Sequence, residues 1–268
     1  PLGILGKCYI ILSNKGMHIK CMALVVRGAR RNLIGIVESI RLKMIVVVNS
    51  ITKCEFDPFQ TFPSIFQGLG TLPYIFKITL REGTKPYRIN APRPIAHGLR
   101  DKAHAEIKRM LSLDVIEPVE SPTDWCFGLT IAPKANGSIR MCVDLTTLNR
   151  GVKREYYPLP RISDLLSQLS QGCIFSKLDA NSGFWLILLD NESKPLTTFL
   201  TPWGRFQFKR LPFGITSAPE FWQRSMEKIL GDSKGVICMM DDVLIYGKDP
   251  TEHWERVYQV LDKIHKSG

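Results

Sequence analysis

Hydrophobic residues recur along this chain with two different periods, which predict a mixture of amphipathic helices and short strands. Apolar positions spaced three or four residues apart predict helices over 99–113, 217–230 and from Thr251 onward. In the first of these, one apolar face is predicted to consist of Ala103, Ile107, Met110 and Leu111. Short apolar runs rich in Val, Ile and Tyr predict strands, and two of them flank Asn136-Gly137, which is a strong hairpin signal. Another run ends on Asp179, and a further pair surrounds Asp241-Asp242. Helices mixed with hairpins are typical of the α+β class.

The breaks between these segments predict three regions. Residues 1–50 alternate short β-type runs with Gly and Asn, which indicates a small β-rich unit. Residues 51–94 are punctuated by Pro and Gly, so a long helix is disfavoured and an extended connector is predicted. Residues 95–268 contain the predicted helices and hairpins. Ser217 and Glu220 have the spacing of a capping box at the start of one helix.

Composition narrows the class of protein. At 44% hydrophobic and 23% charged residues, the chain resembles an ordinary globular protein, and no apolar run approaches the ~18 residues that a membrane span needs. The seven cysteines are dispersed and never form a C-x-x-C pair, which favours reduced thiols and an intracellular location over a disulfide scaffold or zinc site. The start, Pro1-Leu2-Gly3, lacks a charged leader and an initiating Met, so we expect an internal piece of a longer protein.

The formal net charge of +11 is unevenly distributed. Residues 1–50 contain eight Lys or Arg and one Glu, giving +7, whereas the other 218 residues contain 28 basic and 24 acidic side chains, giving +4. Most of the basic excess therefore lies outside the segments with candidate chemistry, and the charge alone is weak support for binding phosphates.

The pair Asp241-Asp242 interrupts a run that is otherwise apolar on both sides. One interpretation is structural, because Asp is a common turn residue and the pair could simply form the corner of a hairpin. The other interpretation includes Asp179, which ends a predicted strand. If the three carboxylates meet at one end of a sheet, they repel each other unless a cation neutralises them, and hard divalent ions prefer such oxygen ligands.

Longer blocks of sequence strengthen the second interpretation. These blocks are GLGTL, VIEPVESPTDWC, GSIRMCVDLTTLN, REYYPLPRI, FSKLDANSGFW, LTTFLTPWGRFQFKRLPFGITSAPEFWQRSM and CMMDDVLIYGKD. In order and spacing, over about residues 55–268, they resemble the reverse transcriptase of gypsy-type LTR retrotransposons. The resemblance implies a right-hand polymerase fold of the α+β class, with fingers and a partial palm over 95–268, and a two-metal RNA-directed DNA polymerase activity that adds dNMPs to a primer 3′-hydroxyl.

The resemblance also implies roles for individual residues. Asp179, Asp241 and Asp242 match the catalytic and metal-binding carboxylates, with two Mg²⁺ or Mn²⁺ ions expected. Phe184 matches the steric gate that excludes a ribose 2′-hydroxyl. The remaining nucleotide-binding candidates are Arg140, Lys134, Phe213 and Gly214. An Arg suits a triphosphate because its planar fork binds phosphate oxygens bidentately.

The implied partners are an RNA or DNA template-primer and dNTPs, with no membrane, in a cytoplasmic or particle-associated setting; the oligomeric state stays open. Residues 1–50 resemble the C-terminal part of a retropepsin-like protease, through RNLIG and the β-type run after it, but no Asp precedes Asp57, so the catalytic Asp of that family is absent. Because the family continues into a primer grip and thumb, we expect a polymerase domain that stops before them and that is weak or inactive by itself. The alternative function is a non-catalytic transposon relic that keeps the fold without the activity.

Overall fold

A computed structural model of the chain describes residues 4–14, 17–26, 56–134, 137–160, 169 and 172–268. The chain divides into two compact units, residues 1–54 and 55–268. In the first unit, β1 (Ile4–Asn14) and β2 (Met17–Val26) form a long antiparallel hairpin with Asn14 opposite Met17. The rest of the predicted β-rich segment, including RNLIG, lies outside the described residues.

The second unit alternates strands with helices. Its strands and α-helices are, in chain order, α1 (Pro58–Thr61), β3 (Ile75–Phe76), α2 (Arg100–Ser112), β4 (Ile116–Pro118), β5 (Phe127–Pro133), β6 (Ile139–Val143), α3 (Thr146–Gly151), β7 (Ile174–Asp179), β8 (Leu188–Leu189), β9 (Phe199–Thr201), β10 (Gly204–Phe208), α4 (Ala218–Leu230), β11 (Val236–Met239), β12 (Asp242–Gly247) and α5 (Pro250–Ser267). Short 3₁₀ helices span Pro63–Phe66, His97–Leu99, Gly183–Leu186 and Pro195–Thr197.

Two larger sheets organise this unit. A five-stranded sheet has the order β4-β10-β9-β5-β6, in which β5 and β9 are parallel and the other pairs are antiparallel. A three-stranded antiparallel sheet has the order β11-β12-β7, and α4 and α5 pack against it. Along β7 partly buried and exposed residues alternate, with Phe175, Lys177 and Asp179 exposed. Since strand side chains alternate between faces, the small sheet buries one face and leaves the other open at β7.

The predicted helices and hairpins are confirmed, with two differences in detail. Helix α2 buries Ala103, Ile107 and Met110 as its spacing predicts, but Leu111 stays exposed because it is rotated off that face. Ser217 precedes α4 as predicted, yet its side chain makes no capping hydrogen bond. The prediction of a capping box is wrong, because Glu220 is buried and binds the Arg154 guanidinium instead. Arg154 Nε lies 2.8 Å from Glu220 Oε1.

The Pro-rich segment predicted as an extended connector instead forms part of the second unit over its described residues, 56–94. Its side chains in the hydrophobic core are Phe62, Leu72, Phe76 and Ile78. Strand β3 also pairs in parallel with β8, which ties the segment to the interior of the unit. Proline prevents a long helix but does not prevent apolar side chains from reaching a core, which is why the pattern misplaced the start of this unit.

Replacing Phe76 with Ala tests the corrected boundary. Phe76 is 5% exposed, so the substitution should cost about 3–5 kcal/mol of unfolding free energy and lower the melting temperature by roughly 10 °C. Phe59→Ala is the matched control, because Phe59 is 66% exposed and its loss should cost under about 1 kcal/mol. If both variants lowered the melting temperature by the same small amount, the segment would be a connector and not part of the second unit.

Candidate active site

Three aspartates lie at one end of the three-stranded sheet. Asp242, the first residue of β12, stands opposite Asp179, the last residue of β7. Asp241 lies in the tight turn between β11 and β12, and its carbonyl accepts a hydrogen bond from the Ala180 amide at 2.8 Å. The hairpin supplies a rigid apolar base, and the acids are presented where the strands end.

Two side chains of α4 form hydrogen bonds with the turn that carries Asp241. Met240 has a left-handed backbone, with φ of 56°, which is uncommon for a residue with a side chain. The indole Nε1 of Trp222 donates to the Met240 carbonyl at 2.8 Å, and the Met240 amide donates to the Gln223 side chain at 2.8 Å. The roles of Trp222 and Gln223 were not predicted from the sequence. The spacing of apolar residues in a helix does not show which of its buried polar groups faces a neighbouring turn.

Burial and mutual repulsion set the electrostatics of the cluster. Partial burial raises the pKa of Asp241, and the nearby carboxylates of Asp179 and Asp242 raise it further. Asp242 has its own counter-ion, because Lys177 Nζ lies 2.9 Å from Asp242 Oδ1, and this hydrogen bond raises the pKa of Lys177. Lys177 was not among the predicted site residues, although its place two residues before Asp179 on the same strand face was a usable signal.

The donor set fits a hard divalent cation. Carboxylate oxygens are the ligands that Mg²⁺ and Mn²⁺ prefer, and a cation would relieve the repulsion that raises the pKa of Asp241. Within the described parts of the chain, no three His, Cys, Asp or Glu side chains converge on one point as they stand. Asp179 and Asp241 carry carboxylates that could hold a metal, whereas Asp242 is engaged by Lys177.

An aromatic group borders the carboxylates. The Phe184 ring centroid is 5.1 Å from that of Phe213 and 6.2 Å from that of Trp222. Because Gly183 has no side chain, the backbone there can approach Trp222 and Asp241 closely. A Cβ at this position would lie 2.8 Å from the Trp222 ring and 3.3 Å from Asp241 Oδ1. The structure thus brings Phe184, half-buried, and Phe213, which is 44% exposed, into the surroundings of the acids.

The loop with Phe213 and Gly214 is positioned by α3. Gly214 has a φ of 96°, and its carbonyl accepts a hydrogen bond from Asn149 Nδ2 at 2.7 Å. Asn149 Oδ1 accepts from the Thr216 amide at 2.9 Å, so one side chain fixes both sides of the loop. Asn149 was not predicted, because its partners are more than 60 residues away in sequence.

Arg140 and Lys134 lie on the β5–β6 hairpin of the larger sheet, away from the strands that carry the acids. Arg140 is opposite Ala132, it is exposed, and it makes no ion pair with any other described residue. The Lys134 amide donates to the Ser138 carbonyl at 2.7 Å, next to the predicted turn, of which residues 135 and 136 lie outside the described residues. No contact joins either cation to the carboxylates in the part of the chain that is described.

Comparisons with known proteins identify a family and similar sequences. Residues 132–268 match the family described as reverse transcriptase (RNA-dependent DNA polymerase). The enzymatic polyprotein of figwort mosaic virus is 32% identical over 188 residues, which are 68% of this chain and 28% of that protein. The Tf2-3 transposon polyprotein of Schizosaccharomyces pombe is 36% identical over 177 residues, 65% of this chain and 13% of that protein.

Solved structures show the same fold. The prototype foamy virus protease-reverse transcriptase aligns with a TM-score of 0.70 at 17% identity, covering 100% of this chain and 40% of that one. The foamy viral protease-reverse transcriptase in complex with an RNA/DNA hybrid aligns with a TM-score of 0.72 at 16% identity, covering 98% and 38% of the two chains.

The chain belongs to the reverse transcriptase (RNA-dependent DNA polymerase) family. Its relatives include polyproteins of a transposon and of plant viruses, and it spans about a quarter or less of their length. In the described residues, no helix has the length and hydrophobicity needed to span a bilayer.

Proposed function

We propose that this chain is the fingers and part of the palm of an RNA-directed DNA polymerase from a retrotransposon Pol polyprotein of the gypsy type. The observation that carries the proposal is the position of Asp179, Asp241 and Asp242 at one end of the three-stranded sheet, inside the region matched by the family. A turn with no chemical role gives no reason to place Asp241 where burial and the carboxylates of Asp179 and Asp242 raise its pKa.

The reaction follows from the chemistry of these residues. Asp179 and Asp241 would hold divalent cations, with Asp242 supporting the site through its pair with Lys177. Bound Mg²⁺ ions would neutralise charge on the attacking and leaving oxygens of an in-line phosphoryl displacement. The protein residues hold the carboxylates in place, with Lys177 paired to Asp242. The chain then transfers a dNMP to a primer 3′-hydroxyl with release of pyrophosphate.

The other predicted residues would bind the incoming dNTP. Phe184, held between Phe213 and Trp222, would occupy the space of a ribose 2′-hydroxyl. Phe213 and Gly214 would contact the nucleotide from the adjoining loop. Arg140, which has no acidic partner in the described chain, is free to contact the triphosphate, and Lys134 would assist it.

The proposed partners are dNTPs and a template-primer of RNA and DNA. Foamy viral protease-reverse transcriptases have been solved with double-stranded DNA and with an RNA/DNA hybrid, and the shared fold supports the same class of partner. Residues 1–50 would be the C-terminal remnant of a retropepsin-like protease without its catalytic Asp, in an intracellular polyprotein. The division at residue 54 is consistent with that origin.

Primer extension on poly(rA)/oligo(dT) with Mg²⁺ tests the proposal, with Phe184→Val as the diagnostic variant. Joined to the downstream polyprotein sequence, the wild type should incorporate dTTP and reject UTP, and the smaller side chain should raise relative UTP incorporation at least ~10-fold by removing the steric clash. Phe59→Val is the matched control, because Phe59 is 66% exposed and outside the site. Absence of extension by the wild type, both alone and joined to the downstream polyprotein sequence, would favour the non-catalytic relic.

A further inference from the structure

We propose that Gln223 is a positioning residue that fixes the backbone of Met240 and thereby places the Asp241 carboxylate. The inference rests on the proposed function for its consequence in catalysis, but its geometric part stands without it. Gln223 lies in α4 and is fully buried, at 0% exposure. A polar side chain in that position is costly unless all its groups find partners.

Both ends of the Gln223 amide are used on the hairpin. Its Oε1 accepts from the Met240 amide at 2.8 Å, and its Nε2 donates to the Cys238 carbonyl at 2.9 Å. These backbone groups flank Met239, the residue at which β11 stops pairing with β12. A primary amide can accept and donate hydrogen bonds at the same time. Gln223 therefore binds both the Cys238 carbonyl and the Met240 amide at the turn between β11 and β12.

The turn needs such a restraint. A left-handed conformation at a non-glycine residue is strained, and it persists only where the surroundings hold it. Trp222, the preceding residue of α4, donates to the Met240 carbonyl at 2.8 Å, so the amide and the carbonyl of Met240 are both bound by the same helix. The next residue is Asp241, whose position depends directly on the Met240 backbone.

The Glu227 carboxylate fixes the orientation of the Gln223 amide. Nε2 also donates to Glu227 Oε1 at 2.8 Å, one turn further along α4. The other carboxylate oxygen of Glu227 accepts a hydrogen bond from the Tyr157 hydroxyl. Because a carboxylate only accepts, the amide nitrogen must face Glu227 and Cys238, which leaves the oxygen facing the Met240 amide. The site turn is thus linked through Gln223 and Glu227 to the segment before residue 161.

Hydrogen exchange of the Met240 amide, measured by mass spectrometry on peptides within 236–243, tests the geometric part. In Gln223→Leu, exchange there should accelerate ~5–100-fold, which corresponds to losing one buried hydrogen bond, while the α2 and α5 peptides keep wild-type rates. Gln223→Glu keeps an acceptor for the Met240 amide but places a carboxylate oxygen against Glu227 Oε1 and the Cys238 carbonyl, so it should also lose protection. Gln259→Leu, an exposed glutamine of α5, is the matched control and should change nothing.

Kinetics test the catalytic consequence in the same variants. Gln223→Leu should lower kcat for dTTP addition ~10–100-fold with KM changed less than ~3-fold, because a misplaced carboxylate affects the chemical step more than nucleotide binding. Unchanged exchange at Met240, or equal acceleration in all peptides, would overturn the positioning role. Local acceleration with wild-type kcat would also overturn it. If the wild type shows no activity, both alone and joined to the downstream polyprotein sequence, the proposed function fails, and the exchange result still decides the geometry.

Discussion

Replacing Asp241 with Asn is expected to abolish nucleotide addition while leaving the fold intact. The substitution keeps the shape of the side chain but removes a charge that would hold the catalytic cations beside Asp179. Loss of one such ligand should reduce the rate of dTTP incorporation by roughly a thousandfold or more, which corresponds to about 4 kcal/mol of transition-state stabilisation. The measurement is extension of oligo(dT) on poly(rA), by the chain alone and joined to its downstream polyprotein sequence.

Thermal unfolding separates this loss of activity from a loss of structure. Burial and the carboxylates of Asp179 and Asp242 raise the folded-state pKa of Asp241 above its unfolded value. A raised carboxyl pKa means that the protonated form is favoured by folding, so the contribution is present at low pH and is lost as pH rises through the folded pKa. Ionised Asp241 therefore weakens the metal-free fold at pH 7, and Asp241→Asn should melt at the same or a higher temperature. Any gain should fade as pH falls below the folded pKa.

Asp232→Asn is the matched control for this experiment. Asp232 is an exposed acid just after α4, and its substitution should leave incorporation unchanged. Incorporation by Asp241→Asn within about tenfold of wild type would mean that the acids only form a turn, since the loss of a metal ligand costs far more.

The elements around the site were predictable because each carries a local signal. The Asn136-Gly137 pair marked the β5–β6 hairpin, and the run ending on Asp179 marked β7. Helix α5 followed from apolar residues at helical spacing, of which Val257 and Leu261 are buried. These patterns act within one element, so residues a few positions apart are enough to define them.

The partners of the site residues were not predictable, because they depend on contacts between distant segments. Asn149 binds the Gly214 loop across 65 residues of sequence, and Arg154 takes Glu220 from the predicted capping box across 66. Lys177 is near Asp179 in the chain, yet its pairing with Asp242 requires the β7–β12 register. The segment 56–94 shows the same limit, since proline-rich composition reports backbone preference and not burial.

Replacing Trp222 with Ala should damage both the fold and the site. Trp222 is completely buried, and its ring lies beside Phe184 and Gly183. The cavity left by the substitution should cost about 3–5 kcal/mol. At roughly 2–4 °C per kcal/mol for a unit of this size, the melting temperature should fall by about 10–15 °C. Differential scanning calorimetry measures this shift directly.

Trp222→Phe isolates the hydrogen bond from the packing. The phenylalanine ring fills most of the space but leaves the Met240 carbonyl without its donor at 2.8 Å, which should cost about 1–3 kcal/mol. Trp254→Phe is the matched control, because Trp254 Nε1 is buried without a hydrogen-bond partner among the described residues, so removing it should cost under about 1 kcal/mol. Equal losses for the two variants would show that the bond to Met240 contributes nothing. A larger loss for Trp222→Phe, with faster amide exchange in residues 236–243, would show that α4 holds the turn on which Asp241 depends.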